Sequence, residues 1–311
     1  MATVVAAYGA GVRLSVVLGQ WLDRPLSADL AVAVEADRLG YPEVWLGEMA
    51  KVDAPVMAAA VVAGTEQIVP CLGPLAVTVR SPVQIALAAA SVASIGGRSV
   101  NVALGTSSDV VARWHGRPRT GAADLLEAAL TDVRAIFAGE RINGFHLRDL
   151  PPTPSLTVAA FGPRAVATAQ AADRMVLNMV TAQAAAKLAP QHANTAVWLA
   201  AAVDPDAGER RWMANGYVGY LPAPGYGEMF TEAGFGDLVE FARTHPPLRD
   251  LAGRIPDGLL DAVALVGDEP TVRRRIEEYA AAGVTEIGLV VPPLDTPSGR
   301  ATLEALASRR D

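Results

Sequence analysis

The sequence contains little lysine, little cysteine and few aromatic residues. Only two of its 311 residues are lysine, Lys51 and Lys187, a single residue is cysteine, Cys71, and aromatic residues make up 5% of the chain. One cysteine excludes an internal disulfide framework and fits a reducing compartment. The basic residues are scattered and the net charge is −7. This composition argues against a nucleic-acid-binding surface, which needs clustered lysine and arginine.

Long hydrophobic runs are also absent. No segment approaches the ~18 consecutive apolar residues that span a bilayer. The first residues, Met-Ala-Thr-Val-Val-Ala-Ala, lack the basic start of a secretory signal. We therefore expect a cytoplasmic protein without a membrane partner. Apolar residues nevertheless make up 51% of the chain, so a large core can form.

Strand-like and helix-like segments alternate along the chain. The predicted strands are residues 13–18, 43–48, 67–79, 98–104, 156–160, 175–179, 195–203 and 285–291. The predicted helices are residues 28–39, 56–64, 83–95, 120–138, 163–172, 181–191, 270–282 and 298–309. This alternation predicts parallel strands joined by helical crossovers. Eight such units fit a (β/α)₈ TIM barrel in a single domain, residues 1–311. A doubly wound open sheet is disfavoured, because no Gly-x-Gly-x-x-Gly follows the first strand.

Residues 204–262 interrupt this pattern. They are rich in proline, glycine and aromatic residues, with helical signals near residues 209–214 and 235–244. We interpret them as an insertion before the last strand that either covers the barrel mouth or forms a dimer surface. Its candidate aromatic residues are Trp212, Tyr217, Tyr220, Tyr226 and Phe230. Aromatic side chains commonly line pockets for apolar ligands.

The stretch from Gly96 to Ser108 indicates where a site would lie. A buried strand leads directly into Gly105-Thr106-Ser107-Ser108. Small residues at the carboxyl end of a strand let a ligand approach the backbone closely, and barrel sites lie at that end. An ordinary turn without a function is the alternative.

Several segments, in order, resemble the luciferase-like flavin and deazaflavin oxidoreductases. The resembling segments are residues 39–48, 63–68, 72–75, 80–82, 96–107, 110–116, 160–173 and 266–284. The Val-Val-x-x-Trp-His-Gly segment, residues 110–116, is similar to actinobacterial members related to methylene-tetrahydromethanopterin reductase. The resemblance implies a bacterial-luciferase-like barrel and, within it, the branch that uses coenzyme F420.

The resemblance also implies which residues meet the cofactor ring. Glu48, at the end of the second strand, would hold the cofactor or a substrate proton, unless it is only an ion-paired glutamate. The next position is often histidine in the family, and here it is Met49. Gly73-Pro74 would form a bulge behind the ring, with a cis peptide or an ordinary trans proline. The four residues that would border the ring edge are Gly105, Thr106, Ser107 and Ser108. Ser108 stands where the family's sugar-phosphate dehydrogenases carry glutamate, which argues against that substrate class.

The phosphate end of the cofactor is assigned in the same way. Ala159, Ala160 and Gly162 would flank the ribityl chain and phosphate, and Asn178 and Thr181 would donate hydrogen bonds to it. A helix start at Phe161-Gly162-Pro163-Arg164 is also a potential anion site in its own right, although a well-capped helix explains the same residues.

Two further side chains complete the prediction. Arg164 would replace the lysine that the family often has near Thr181. His115 would donate a proton to the substrate, or act only as a structural hydrogen-bond partner. The histidines are too dispersed to predict a metal site.

Three functions remain open from the sequence. The preferred one is an F420H2-dependent reductase that transfers hydride to a C=C or C=N bond of a small molecule or natural-product intermediate. The second is an FMN-dependent luciferase-like monooxygenase. The third is a barrel without a cofactor that serves as a binding or structural partner. We expect a homodimer that acts on a small-molecule substrate.

Overall fold

Parallel strands form the centre of the protein. The computed structural model describes residues 11–18 and 24–307. Its strands are β1 Arg13–Leu18, β2 Glu43–Leu46, β3 Val69–Ala76, β4 Asn101–Gly105, β5 Leu156–Ala159, β6 Arg174–Asn178, β7 Thr195–Val203, β8 Leu265–Gly267 and β9 Glu286–Val290. Most strand residues are buried, as expected where helices cover a parallel sheet on one face and the barrel interior fills the other.

Eight of these strands close into a barrel. Each strand from β1 to β7 pairs in parallel with the next, and β9 lies between β7 and β1. The (β/α)₈ TIM barrel predicted from the sequence is therefore confirmed, with β9 as its eighth strand. The short strand β8 was not predicted. It pairs with the end of β7, where Ala202 lies opposite Val266.

Helices connect the strands in the expected order. They are α1 Leu26–Leu39, α2 Ala54–Gly64, α3 Pro82–Gly96, α4 Asp109–Trp114, α5 Ala122–Phe137, α6 Pro163–Ala169, α7 Ala182–Leu188, α8 Ala207–Asn215, α9 Tyr226–Phe230, α10 Gly236–Arg243, α11 Leu248–Ala252, α12 Asp257–Val263, α13 Glu269–Ala281 and α14 Pro297–Leu306. A 3₁₀ turn, Ala189–Gln191, follows α7 and a π turn, Thr231–Phe235, joins α9 to α10. None of the described helices is long and apolar enough to cross a membrane.

Side-chain caps fix where several helices begin. Asp53 accepts a hydrogen bond from the amide of Val56 at 3.1 Å, and Ser81 forms a reciprocal capping box with Gln84. Such caps satisfy amides that have no partner within the helix. They place the starts of α2 and α3 directly after the carboxyl ends of β2 and β3, on the same face of the barrel.

The insertion before the last barrel strand consists of helices α8 to α12. Tyr217 and Phe230 are fully buried within it and meet edge to face at 6.4 Å. The Tyr217 hydroxyl donates a hydrogen bond to the carbonyl of Val263 at 3.2 Å. These contacts join Tyr217 to Phe230 in α9 and to Val263 at the end of α12. Other residues of the insertion contact the barrel.

A charged cluster fills the barrel interior at the amino end of the strands. Arg174, on β6, is 2% exposed and places its Nη1 atom 2.6 Å from both Glu43 and Glu286. Its guanidinium also lies 4.1 Å from the centre of the Trp45 ring. Arg13 pairs with Glu286 from the outer side. These residues, called here the barrel-floor cluster, lie at the end of the barrel opposite the predicted site.

Candidate functional site

Three small residues lie side by side at the carboxyl ends of neighbouring strands. They are Pro74 on β3, Gly105 on β4 and Ala159 on β5. A Cβ atom placed on Gly105 would lie 3.3 Å from Cβ of Pro74 and 3.4 Å from Cβ of Ala159. Because these distances are at or below ordinary van der Waals contact, the three residues form one continuous surface, called here the platform. No side chain on it is longer than a proline ring, so a flat molecule can lie against it.

A bulge in β3 positions the platform's proline. The pairing of β3 with β4 shifts between Leu72 and Leu75, and the Gly73–Pro74 peptide is cis. Gly73 has a φ of +111°, and a Cβ atom there would collide with the main-chain oxygen of Ala103. Only glycine meets both conditions. The sequence prediction of a bulge at Gly73-Pro74 thus coincides with an irregularity in the strand.

Two tryptophans fill the barrel interior. The rings of Trp45 and Trp198 meet edge to face at 5.3 Å. Ala159 and Trp212, the latter from α8, pack against this cluster. Cys71 lies in the same cluster, where burial, together with the Glu43 carboxylate, raises the pKa of its thiol well above the ordinary value. The thiol therefore stays protonated and is a poor nucleophile. Trp212 adds an apolar ring from the insertion to the same cluster.

The loop after β4 is held by an arginine. Arg119 donates from Nε to the carbonyl of Ser107 at 2.9 Å and from Nη2 to Oγ1 of Thr106 at 3.1 Å. Ser107 has a φ of +55°, which is uncommon for a residue other than glycine. The Ser108 hydroxyl accepts a hydrogen bond from the amide of Val111 at 3.4 Å and so caps α4. Thr106 and Ser107 therefore border the platform with their polar groups fixed by Arg119.

The insertion attaches to the barrel at the end of β6. The Tyr226 hydroxyl donates to the carbonyl of Asn178 at 2.9 Å, and Nδ2 of Asn178 donates to the Tyr220 hydroxyl at 3.2 Å. Tyr226 also stacks on Phe161, with ring centres 4.5 Å apart and planes 8° apart. We call Phe161, Tyr220 and Tyr226 the aromatic clasp. Burial raises the pKa of Tyr226 well above its usual range, so its hydroxyl remains a hydrogen-bond donor.

Asn178 also carries an unsatisfied atom. Its Oδ1 is buried and has no hydrogen-bond partner among the residues that the structure describes. A buried acceptor without a partner carries a free-energy cost of about 1–3 kcal/mol, and such atoms in native proteins call for an explanation. A ligand that donates a hydrogen bond here would remove that cost.

The residues predicted for the phosphate lie next to the clasp. Thr181 caps α7 by accepting a hydrogen bond from the amide of Ala184 at 3.1 Å, which leaves its hydroxyl proton available for donation. Ala160 is buried, and Gly162 precedes α6 with open space around it. Both α6 and α7 contain seven residues, so each contributes only a short row of aligned peptide dipoles.

Glu48 lies at the opposite side of the barrel mouth in an ion pair. Its carboxylate accepts from Nε of Arg80 at 2.8 Å and from Nη2 at 2.5 Å. Nη2 of Arg80 also lies 2.6 Å from Asp53. Both carboxylate oxygens of Glu48 are therefore engaged. The geometry fits the ion-paired alternative that the sequence left open, and the catalytic role stays a prediction.

Within the described residues, the side chains of two predicted residues make no hydrogen bond to the rest of the predicted site. His115 directly follows α4 as its C-cap and is exposed, and its ring makes no hydrogen bond within residues 11–18 and 24–307. The side chain of Arg164 is 65% exposed and pairs with Asp124 on the outer side of the barrel. It lines a cavity of about 770 Å³ between α5 and α6. The structure thus does not bring Arg164 together with Asn178 and Thr181.

Sequence reasoning missed Arg80, Arg119 and the hydrogen bond of Tyr220. Arg80 precedes the Ser81-Pro82 helix start, so its position at a strand-to-helix junction was a usable signal. Arg119 follows Arg113 and Arg117 in a locally basic stretch. No such signal exists for Tyr220, because its contact depends on how the insertion folds back. Within the described residues, no group of three or more His, Cys, Asp or Glu side chains is arranged to hold a metal ion.

Comparison with solved structures identifies proteins of the same architecture. The F420-dependent tetrahydromethanopterin reductase of Methanopyrus kandleri has a TM-score of 0.74 at 15% identity, with 96% of this chain and 98% of that chain covered. An F420-dependent secondary alcohol dehydrogenase, in complex with an F420-acetone adduct, has a TM-score of 0.71 at 14% identity, with 95% of this chain and 97% of that chain covered. At such identities the likeness establishes the fold.

A third solved structure of similar fold contains FMN. The oxygenating constituent of 3,6-diketocamphane monooxygenase from Pseudomonas putida, a type II Baeyer–Villiger enzyme in complex with FMN, has a TM-score of 0.69 at 16% identity, covering 96% and 97% of the chains. No curated protein matches the sequence. The family model described as luciferase-like monooxygenase matches residues 10–286. The chain therefore belongs to the luciferase-like monooxygenase family.

Proposed function

We propose that this protein is an F420H2-dependent reductase that acts on a C=C or C=N bond of a small molecule. The observation that carries the proposal is the platform of Pro74, Gly105 and Ala159. Its small residues offer an area for a planar ring at the carboxyl ends of the strands, where barrel enzymes hold their ligands. Membership of an oxidoreductase family supports the same reading.

The residues around the platform fit a ring with a polar edge. The Oδ1 atom of Asn178, which has no partner within the described ranges, is an acceptor that an N–H or O–H group of a ligand would satisfy. Thr106 and Thr181 keep hydroxyl groups at the ends of β4 and β6. The ring face would be held by Pro74 and Gly105, and the polar chain by Asn178 and Thr181. Arg164 would have to leave Asp124 to reach a phosphate there.

A bound F420H2 would supply hydride to an electron-poor carbon, and the protein would set the geometry. The platform would fix the face from which substrate approaches. Trp212 and the aromatic clasp would keep water from that side of the mouth, which strengthens the polar contacts within it. The proton that completes the reduction would come from His115 or from water. Both oxygens of Glu48 are already bound by Arg80 and Ala54.

The FMN-dependent monooxygenase is the second candidate, because the same platform would also hold a flavin ring and the structure of similar fold from Pseudomonas putida contains FMN. A barrel without a cofactor remains the third. The homodimer and the small-molecule substrate are also proposals, and a molecular mass measured by light scattering tests the first of them.

Cofactor binding tests the proposed function directly. The purified protein is titrated with F420 and, separately, with FMN, and ligand fluorescence is followed. We expect F420 to bind and its reduced form to be oxidised when cyclic enones or imines are supplied. Binding of FMN alone, with oxygen uptake, would favour the monooxygenase. Binding of neither ligand would refute both enzyme proposals.

Two glycine variants locate the bound ring. Gly105→Ala adds a methyl group to the platform and should weaken cofactor binding by about tenfold, which corresponds to ~1.4 kcal/mol. Gly258→Ala is the matched control, because a Cβ atom at Gly258 in α12 meets no atom within 4 Å. Equal affinities of the two variants would show that the ring does not lie on the platform.

A further inference from the structure

Tyr220, in the insertion, is held over the barrel interior at the carboxyl end of β6. Side chains alternate between the two faces of a strand. On β6, Arg174 belongs to the barrel-floor cluster and Val176 packs with the tryptophans of the interior, so Asn178 faces the interior as well. Its Nδ2 atom donates to the hydroxyl oxygen of Tyr220 at 3.2 Å. The Tyr220 hydroxyl therefore lies at the barrel mouth and not on the outer side of the barrel.

This position borders the platform. Strand β5 lies between β4 and β6 in the barrel wall, and Ala159 of the platform pairs with Val176, two residues before Asn178. Two residues of a strand span about 7 Å. A substrate that lies over the platform would therefore meet the Tyr220 hydroxyl at the edge formed by β5 and β6.

Several contacts fix the orientation of Tyr220. Its amide donates to the carbonyl of Tyr217 at 2.9 Å, and its own carbonyl accepts from the amide of Ala223 at 3.0 Å. Its ring meets that of Tyr226 edge to face, with centres 4.9 Å apart and planes 65° apart. A group that is already oriented loses less freedom when it acts on a bound substrate.

The bond with Asn178 uses the oxygen of Tyr220 and not its proton. The hydroxyls of Tyr217 and Tyr226 differ in this respect, because they donate their protons to the carbonyls of Val263 and Asn178. A donor directed at the oxygen of Tyr220 stabilises the phenolate that remains once the proton has left. Tyr220 is also only half-buried, so water can return a proton to it. These are the properties that a general acid needs.

The other candidate proton donors at the mouth lack one of these properties. Both carboxylate oxygens of Glu48 are bound by Arg80. His115 is exposed, and its ring makes no hydrogen bond with any residue that the structure describes. Tyr220 combines an acidic proton with a position that its neighbours fix.

We propose that Tyr220 is the general acid of the reduction and protonates the α-carbon of an α,β-unsaturated carbonyl substrate, in place of His115 or water. This inference rests on the proposed function. Hydride adds to the β-carbon, and the electron pair of the C=C bond becomes that of an enolate. The α-carbon then takes the proton from Oη of Tyr220, so that a C–H bond forms and the O–H bond breaks. Water returns a proton to the phenolate, which replaces the proton released when F420H2 is oxidised to F420.

Removing the hydroxyl tests the proposal first. Y220F and the matched control Y217F, which loses a hydroxyl bonded elsewhere in the insertion, are titrated with F420 and assayed for oxidation of F420H2 by 2-methylcyclohex-2-enone. We expect Y220F to bind F420 with unchanged affinity and to lose about 100-fold in kcat, and Y217F to retain its kcat. An unchanged kcat in Y220F would overturn the inference and leave the proposed function standing.

The configuration of the product separates proton transfer from a structural role. Protonation of this enone creates a stereocentre at the carbon that carries the methyl group. Wild type should give an excess of one enantiomer, because Tyr220 reaches one face of the enolate. In Y220F water supplies the proton, and the product should become racemic. Retention of the wild-type excess in Y220F would contradict proton transfer from Tyr220.

A fluorinated tyrosine tests the same step while the hydroxyl stays in place. 3,5-Difluorotyrosine at position 220 is a stronger acid than tyrosine and keeps the bond from Asn178, so it serves even where Y220F does not fold. The high-pH limb of kcat should move to lower pH by about 1 unit or more, and an unmoved limb would overturn the inference. Burial raises the pKa of Tyr217 and of Tyr226 well above the usual range, so neither of them causes such a shift. Failure of wild type to bind F420 or FMN would instead refute the proposed function, and this inference with it.

Discussion

Replacing Arg174 by methionine is expected to destabilise the protein strongly. Its guanidinium is the positive charge shared by two buried carboxylates, with Nη1 2.6 Å from Glu43 and 2.6 Å from Glu286. Arg13 lies further out, with a side chain 33% exposed. In R174M both carboxylates remain in the barrel interior without their main counter-charge.

The size of the effect follows from that burial. Arg174 is 2%, Glu43 3% and Glu286 0% exposed, so water screens the pair very little. Removing one partner of a buried ion pair typically costs about 3–5 kcal/mol. Methionine keeps much of the apolar volume, and the loss therefore reports on charge more than on a cavity. Converting both carboxylates to amides as well, in R174M/E43Q/E286Q, should recover most of the loss, because no uncompensated negative charge is then buried.

Urea unfolding followed by circular dichroism measures both quantities. R249M is the control, since the Arg249 side chain is 96% exposed and its loss should change the free energy of unfolding by less than ~0.5 kcal/mol. A loss below ~1 kcal/mol in R174M would refute the reasoning. If R174M/E43Q/E286Q were as unstable as R174M, the lost free energy of unfolding would come from packing and not from the buried charges.

Three further predictions concern other contacts. Burial opposes ionisation of Glu286, but Arg174 and Arg13 outweigh this effect and lower the pKa of its carboxyl group. The stability that this shift supplies is present above the unfolded pKa of roughly 4.3 and is lost as the pH falls through the lower folded pKa. E286Q should therefore flatten the dependence of the free energy of unfolding on pH below about pH 4. Y226F leaves the carbonyl of Asn178 without its partner and should lower the free energy of unfolding by about 1–2 kcal/mol in thermal melts; an unchanged midpoint would contradict the clasp. E48Q separates catalysis from ion pairing: a catalytic Glu48 predicts a fall in kcat with an altered pH profile, whereas a purely structural one predicts unchanged kcat and a loss of stability near ~1 kcal/mol.

The barrel was predictable because periodicity and helix caps are local properties. The strands at 13–18 and 195–203 were predicted with their observed bounds. The third strand was predicted to run to residue 79 but ends at Ala76, because residues 77–79 form a turn that only the main-chain bonds reveal. Strand β8 was missed, since three residues are too few for any pattern.

The site was less predictable because its contacts join distant segments. The sequence placed Gly105 and Ala159 at strand ends, but their contact with Pro74 depends on strand order and register. The engagement of Glu48 by Arg80 spans 32 residues, and that of Asn178 by Tyr226 spans 48. Contacts of this kind follow from how loops meet above a closed barrel, so the sequence can place a residue such as Arg80 at a strand end without naming its partner.

The pairing of β8 with β7 has a consequence for how this protein can diversify. Residues 204–264 leave the barrel at Val203 and return beside it, where Ala202 pairs with Val266 and the amide of Asp204 donates to the carbonyl of Gly267 at 2.8 Å. The two ends of the segment are thus held together by main-chain bonds that do not depend on what lies between them. Because joining fixed ends costs little more for a long segment than for a short one, the length of the segment can change while β7 and β8 keep this pairing. The pairing of β7 with β8 thus fixes where residues 204–264 begin and end on the barrel, whatever the length of the segment.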